Sequence, residues 1–172
     1  GIEKTTGDWI LFIDADERVS LELKDEILEF IRNFSNIYNG FFLKRKDFMW
    51  GEELNYGEFL NLKLLRLAKK EAGKWVGKVH EEWKIKGKVG VLRNSIAHYP
   101  HQTAAEFLKE INFYTTIRAE ELYKKNTKAY WWSIIFYPMG KFILNYFFKR
   151  GFLDGVHGLV FAIIMSFHSF LV

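Results

Sequence analysis

A short apolar run that ends in two closely spaced aspartates constrains this chain more than any other feature of its sequence. The run covers residues 9–13 (WILFI), and Asp14 and Asp16 follow it. Because it is apolar throughout, it predicts a strand buried on both faces, as in parallel sheets, where ligands bind beyond the carboxyl ends of the strands. Two carboxylates at i and i+2 in a turn can point to one place and suit a hard divalent cation. The pair therefore predicts a site where a cation holds a diphosphate.

Two other interpretations of the aspartate pair are open. The acids can simply form the turn before a helix that Ser20 caps. The first aspartate can also be a phosphorylated nucleophile, as in phosphotransferases of the haloacid dehalogenase type. Those enzymes carry Gly-Thr after the second aspartate, whereas this chain has Glu17-Arg18, and no later lysine and paired-acid segment completes such a site. The downstream sequence therefore favours the cation site.

The composition excludes several classes of protein. Apolar residues make up 49% of the 172 residues and proline occurs only twice, so a packed core is expected rather than disorder. Because cysteine is absent, disulfides, thiolate metal sites and cysteine nucleophiles are excluded, which agrees with a reducing cytoplasm. The formal net charge of +4 fits phosphorylated ligands or an anionic membrane surface, but no basic run is dense enough to predict nucleic-acid binding.

Four segments occur in an order that can be compared with known families. They are GDWILFIDADERV (7–19), GKWVGKVHE (73–81), IAHYPH (96–101) and KRGFLDG (149–155). The series resembles inverting family 2 glycosyltransferases of the GT-A fold, and among them bacterial members similar to lipopolysaccharide-core glucosyltransferases. An ordered series is more specific than the acidic motif alone. In that family a nucleotide-binding half precedes the acidic motif, so the resemblance implies that this chain is the C-terminal fragment of a longer enzyme.

The resemblance implies a reaction and assigns roles to residues. The reaction moves a hexose, with inversion and metal dependence, from a nucleotide-diphosphate sugar such as a UDP-sugar to a saccharide or glycolipid acceptor of the cell envelope. Asp16 would touch Mg²⁺ or Mn²⁺ most directly, and Asp14 would either coordinate it or hold the ribose and the water shell. Glu81 would be the catalytic base, with Glu82 as its competitor.

Histidines and tryptophans complete the candidate site. The resemblance also implies that His98 is a third metal ligand or a diphosphate contact. Further candidates for contact with the substrates are Trp50, Trp75, His80 and His101. Each has an ordinary structural alternative, because the tryptophans can belong to the core, His80 can be a structural histidine with satisfied hydrogen bonds, and the two later histidines can cap the helix that follows them.

The expected fold is α/β and has two parts. Residues 1–126 are predicted to form the C-terminal part of a GT-A catalytic domain with a mixed sheet, and residues 127–172 an amphipathic or membrane-associated helical tail. Ser20 precedes a helix with one apolar face, and a capping box at Thr103 and Glu106 begins a long helix that ends near Lys125. Residues 41–48, residues 62–67 and short runs within 75–99 predict strands, while residues 51–58 are predicted to be a loop.

The tail predicts a pair of membrane-proximal helices. Its apolar and aromatic residues lie in two segments, 130–148 and 155–172, and basic residues flank the second half of the first segment (142–148): Lys141, Lys149 and Arg150. Because Asp154, His157 and His168 are costly at membrane depth, the pair is expected to lie at the interface, on the cytoplasmic face of the cell membrane. The alternatives are a helix pair packed on the soluble domain and, for function, a non-catalytic membrane-associated module that binds glycans or proteins.

Overall fold

A computed structural model describes residues 2–76 and 82–172, which divide into two compact units. The first unit contains the chain up to Lys46 and Asn61–His98, and the second contains Asp47–Leu60 and Tyr99–Val172. The strands are β1 (Trp9–Leu11), β2 (Glu17–Arg18), β3 (Gly40–Met49), β4 (Glu52–Leu54), β5 (Lys63–Lys69), β6 (Gly73–Val76), β7 (Glu82–Ile85) and β8 (Val89–His98). The helices are α1 (Leu21–Phe34), α2 (Ala104–Lys124), α3 (Trp131–Ile143) and α4 (Gly155–Leu171). The α/β class is confirmed, whereas the division of function at residue 126 stays a prediction.

The first unit is a sheet covered by one helix. Its strand order is β1-β5-β3-β8-β2, and β6 and β7 form a separate antiparallel pair. The predicted first helix is confirmed, because the hydroxyl of Ser20 accepts a hydrogen bond from the backbone N–H of Leu23 at the start of α1. Leu23 and Ile27 on its apolar face are buried in a cluster with residues of the sheet: Phe41, Leu43, Leu67, Leu92 and Ile96.

The prediction of a parallel sheet around β1 is wrong for the described residues. β1 lies at the end of the strand order and pairs antiparallel with β5, with Trp9 opposite Lys69 and Leu11 opposite Leu67. Strand β1 nevertheless has two packed faces, since Trp9 and Leu11 pack against one cluster whereas Ile10 belongs to another. The predicted burial does not extend to the end of the run, because Ile13 lies beyond the strand and is 45% exposed. The apolar run thus indicates two packed faces for the strand itself, and it does not report the direction of the neighbouring strand.

The loop prediction for residues 51–58 is wrong in part, because β4 lies within this segment. β3 and β4 form a hairpin in which Met49 pairs with Glu52 across a two-residue turn. Trp50 and Gly51 make that turn with φ angles of 55° and 86°. Two positive φ angles suit a tight hairpin, but Asn-Gly is the usual sequence, so a Trp at the first turn position gives no signal of the turn.

The second unit is built on α2 and the helix pair. The predicted capping box is confirmed, because the Thr103 hydroxyl accepts from the Glu106 N–H and the Glu106 carboxylate accepts from the Thr103 N–H. Residues of α2, α4 and the β3–β4 hairpin share a buried cluster: Met49, Leu54, Phe107, Ile111, Phe161 and Ile164. α3 packs against α4, so the predicted helical pair is confirmed. By length and composition alone, Gly151–Leu171 is apolar enough to cross a bilayer.

Two helical glycines of the second unit differ in their surroundings and make a stability test. A Cβ at Gly158 in α4 would overlap the carbonyl oxygen of Gly151, which belongs to backbone and cannot turn aside. Gly158→Ala is therefore expected to lower the free energy of unfolding by about 1 to 3 kcal/mol through overpacking.

Gly140 in α3 is the matched control. A Cβ there meets no described atom within 4 Å apart from its chain neighbours and the nearby backbone of its own helix. Gly140→Ala is expected to leave stability unchanged or to raise it by up to about 1 kcal/mol, since Ala favours helix over Gly. Urea unfolding of both variants measures the difference. Equal losses in the two variants would contradict the close approach at Gly158.

Candidate functional site

The two aspartates lie on a closed turn directly after β1. The N–H of Glu17 donates to the carbonyl oxygen of Asp14 at 3.1 Å, which closes a four-residue turn. The N–H of Asp14 donates in return to the Glu17 carboxylate at 3.0 Å. Both aspartate side chains stay accessible, 59% exposed at Asp14 and 46% at Asp16. The turn thus holds two carboxylates at the surface on a fixed backbone.

A histidine from a distant part of the sequence, His98, reaches this turn. β2 pairs antiparallel with β8, which places Glu17 opposite His98. The Nε2 atom of His98 lies 3.2 Å from the Oδ2 atom of Asp16, and the His98 side chain is 13% exposed. Strand pairing therefore brings three predicted metal-binding residues, Asp14, Asp16 and His98, to one turn.

An arginine at this turn was missed as a site residue by the sequence analysis. The N–H of Phe12 donates to the carbonyl oxygen of Arg66 at 2.8 Å, so the β1–β5 ladder carries Arg66 alongside the turn. Its Nη2 atom contacts the carboxylates of Asp14 and Glu17, the latter at 2.8 Å. Arg66 thus bridges one exposed and one buried carboxylate.

Glu17, also missed as a site residue, contacts both the backbone of the turn and Arg66. Its side chain is fully buried, and its two carboxylate oxygens accept from Arg66 and from the N–H of Asp14. A buried carboxylate needs a cationic partner and further hydrogen bonds, and Glu17 has both. It therefore fixes the backbone that presents Asp14 and the guanidinium that pairs with it. No signal in the sequence alone separates this glutamate from an exposed one.

The donor set at the turn suits a hard divalent cation at Asp16 better than at Asp14. Asp16 presents carboxylate oxygens that suit Mg²⁺ or Mn²⁺, and the imidazole nitrogen of His98 beside them is a ligand that Mn²⁺ accepts more readily than Mg²⁺ does. The Asp14 carboxylate already faces the Arg66 guanidinium, whose positive charge opposes a second cation. Within residues 2–76 and 82–172, no three acidic, His or Cys side chains form a ready metal site, so water and substrate oxygens would have to complete the coordination.

The remaining predicted site residues fall into two groups. Glu81 and His80 lie outside the described residues, and of Trp75 only the backbone, in β6, is described. His101 and Trp50 belong to the second unit. The predictions for all five stay predictions.

His101 and Trp50 each have aromatic neighbours within the second unit. The His101 ring stacks on Phe107 at 4.7 Å, and its Nδ1 atom lies 3.7 Å from Glu110. The Trp50 ring packs between Phe107 and His157, beside the buried cluster. Thr103 and Glu106 cap α2, so the histidine stands beside the helix start without supplying the cap.

Comparison with known proteins gives relatives along nearly the whole chain. No family model matches. The chain is 26% identical over 175 residues to an uncharacterized glycosyltransferase of Rickettsia typhi, and the alignment covers 95% of this chain and 60% of the relative. It is 27% identical over 176 residues to the lipopolysaccharide core biosynthesis glycosyltransferase LpsC of Rhizobium meliloti, and this alignment covers 99% of the chain and 64% of LpsC. The chain thus spans about 60% of the length of these relatives, and both are named as glycosyltransferases.

Proposed function

We propose that this chain is part of a glycosyltransferase that moves a hexose from a nucleotide-diphosphate sugar, such as a UDP-sugar, to a lipid-linked or cell-envelope saccharide. The observation that carries the proposal is the turn after β1, where Asp14 and Asp16 are held beside His98 and Arg66. The similarity to relatives named as glycosyltransferases supports it. The family 2 and GT-A assignments and inversion belong to the same proposal.

The chemistry requires positive charge near the departing diphosphate. In the proposal Asp16 and His98 hold Mg²⁺ or Mn²⁺, which supplies charge to neutralise the phosphate oxygens when it is bound. Arg66 keeps Asp14 in place and adds a second positive charge at the same turn. Asp14 is then a positioning group that contacts the ribose or the water shell. This division of labour follows from the separate partners of the two aspartates.

Glu81 is the proposed base for the acceptor hydroxyl, and its replacement separates binding from chemistry. Glu81→Gln keeps the size of the side chain but cannot take a proton, so transfer is expected to fall by about 100-fold or more while donor binding is retained. Glu82→Gln is the matched control and is expected to keep most of the activity. The rate of hexose transfer and the affinity for UDP in the intact protein measure the two effects. A loss of transfer rate in the Glu82 variant alone would assign the role of base to Glu82 instead of Glu81.

The acceptor side of the proposal places the protein at the cytoplasmic face of the membrane. α3 exposes large apolar side chains, among them Trp131 at 74% and Ile135 at 56%. An exposed aromatic and aliphatic surface of this kind fits a membrane interface, where a lipid-linked acceptor is found. α4 and the turn before it add further exposed apolar residues: Phe152, Leu153, Val156, Ile163 and Phe167.

One titration tests the proposed function as a whole. UDP is expected to bind to the intact protein only when Mn²⁺ is present, and Mn²⁺ more tightly when UDP is present, because diphosphate and carboxylates share the cation. Binding of neither ligand would contradict the transferase proposal and would favour a non-catalytic module that binds glycans or proteins.

A further inference from the structure

The second unit contains a groove that neither the acidic turn nor the apolar membrane surface accounts for. It has a volume of about 650 Å³ and lies between the last turns of α2, the connection to α3, α3 itself and the end of α4. A volume of this size accommodates a small amphiphile. The groove lies entirely within the second unit, so its shape depends on the packing of that unit alone.

The lining of the groove combines basic and apolar residues. Arg118 and Lys128 line it and are exposed, and Lys141 lines it from α3. Among the described residues that line it, no Asp or Glu side chain contributes. Apolar surface comes from Ile134 and Phe170, which are 46% and 50% exposed.

Two of the basic residues, Arg118 and Lys141, form ion pairs with acids that do not line the groove. Arg118 Nη1 lies 2.9 Å from the carboxylate of Glu121, one turn along α2, and Lys141 pairs with Glu58. Neither acid lines the groove. Burial and the nearby Lys141 lower the pKa of His168, another lining residue, which favours its neutral form, so the positive charge of the lining comes from the arginine and the lysines.

We propose that this groove binds one anionic membrane phospholipid. The phosphate would lie at Arg118 and Lys128. The parts of the acyl chains nearest the headgroup would follow the apolar surface of Ile134 and Phe170 toward the exposed face of α3. The basic residues of the lining select the anion, and its exposed apolar residues, which include Ile134 and Tyr137 of α3, select a lipid over a free phosphate. The inference rests on the proposed membrane association and extends it from a surface to a defined headgroup site.

A soluble short-chain lipid tests the site apart from the membrane. Dihexanoyl phosphatidylglycerol, used below its micellar concentration, is expected to bind the intact protein saturably at one site. Arg118→Gln with Lys128→Gln is expected to weaken this binding at least about 10-fold, because each charge-assisted contact to a phosphate is lost. Lys124→Gln with Lys125→Gln removes the same charge from exposed residues outside the groove and is the matched control, expected to bind as the unaltered protein does.

A second variant tests the groove by shape. Ala119 lines the groove, and Ala119→Trp is expected to block the lipid without changing the charge, with thermal unfolding used to confirm that the unit is folded. Equal loss of lipid binding in the groove and control variants, or full binding by a folded Ala119→Trp protein, would overturn the proposal. Sedimentation with phosphatidylcholine vesicles separates the two claims: vesicle binding without short-chain lipid binding leaves membrane association intact and removes the headgroup site.

Discussion

Replacing Asp16 by Asn in the intact protein is expected to lower the rate of sugar transfer by at least about 100-fold while the protein stays folded. The amide keeps the size of the side chain and removes the negative charge that would hold the cation, and without the cation the charge of the diphosphate is not neutralised. Asp16 is 46% exposed, so its contact with His98 contributes little to folding, about 0 to 1 kcal/mol at such a surface position. A transfer assay over a Mn²⁺ series, together with thermal unfolding, measures both effects.

Two further variants make the result specific to Asp16. Asp8→Asn removes an exposed acid from the same unit, outside the turn, and is expected to leave the rate unchanged. Asp14→Asn is expected to cause a smaller loss than Asp16→Asn, because Asp14 is already paired with Arg66 and offers less to a cation. Unchanged turnover in the Asp16 variant would remove this carboxylate from the chemistry. A larger loss of transfer rate in the Asp14 variant would mean that Asp14 holds the cation and that Asp16 is the positioning group.

Local sequence signals predicted the helices well and the strand pairing poorly. Ser20 and the Thr103–Glu106 box make their capping hydrogen bonds with residues only three positions away, so the helix starts can be recognised from the local sequence. The direction of β5 beside β1 depends on residues more than fifty positions apart, and the apolar run carries no information about it. The β3–β4 hairpin was missed for another reason, since Trp50 adopts a positive φ angle that its own side chain disfavours.

The candidate site divides in the same way. The aspartates could be found because they follow an apolar run, and His98 because it lies in a segment of the recognised series. Arg66 has no such signal: it stands in an ordinary strand among other basic residues, and only the β1–β5 pairing brings it to the turn. Glu17 is next to the aspartates in sequence, yet its importance lies in its burial, which is a property of the folded unit.

Glu17→Leu is expected to lower the free energy of unfolding by about 3 kcal/mol, the lower end of the range for breaking a buried ion pair. The loss arises because Arg66, only 15% exposed, keeps its charge and loses its buried partner, while the Asp14 N–H loses its acceptor. Asp14 remains beside the guanidinium and limits the cost. Arg66→Met is expected to be at least as costly, since it leaves the fully buried Glu17 carboxylate without its cation. Urea unfolding measures both losses.

The double variant Glu17→Leu with Arg66→Met decides whether this ion pair stabilises the unit or positions the site. Apolar side chains of similar volume often replace a buried ion pair at little cost, so the double variant is expected to be more stable than either single one. Additive losses would instead mean that the two side chains act independently. Transfer is expected to stay low in the double variant despite its recovered stability, because neither group then holds the Asp14 carboxylate and its backbone in place. A stable double variant with full activity would show that the buried pair supports the fold alone.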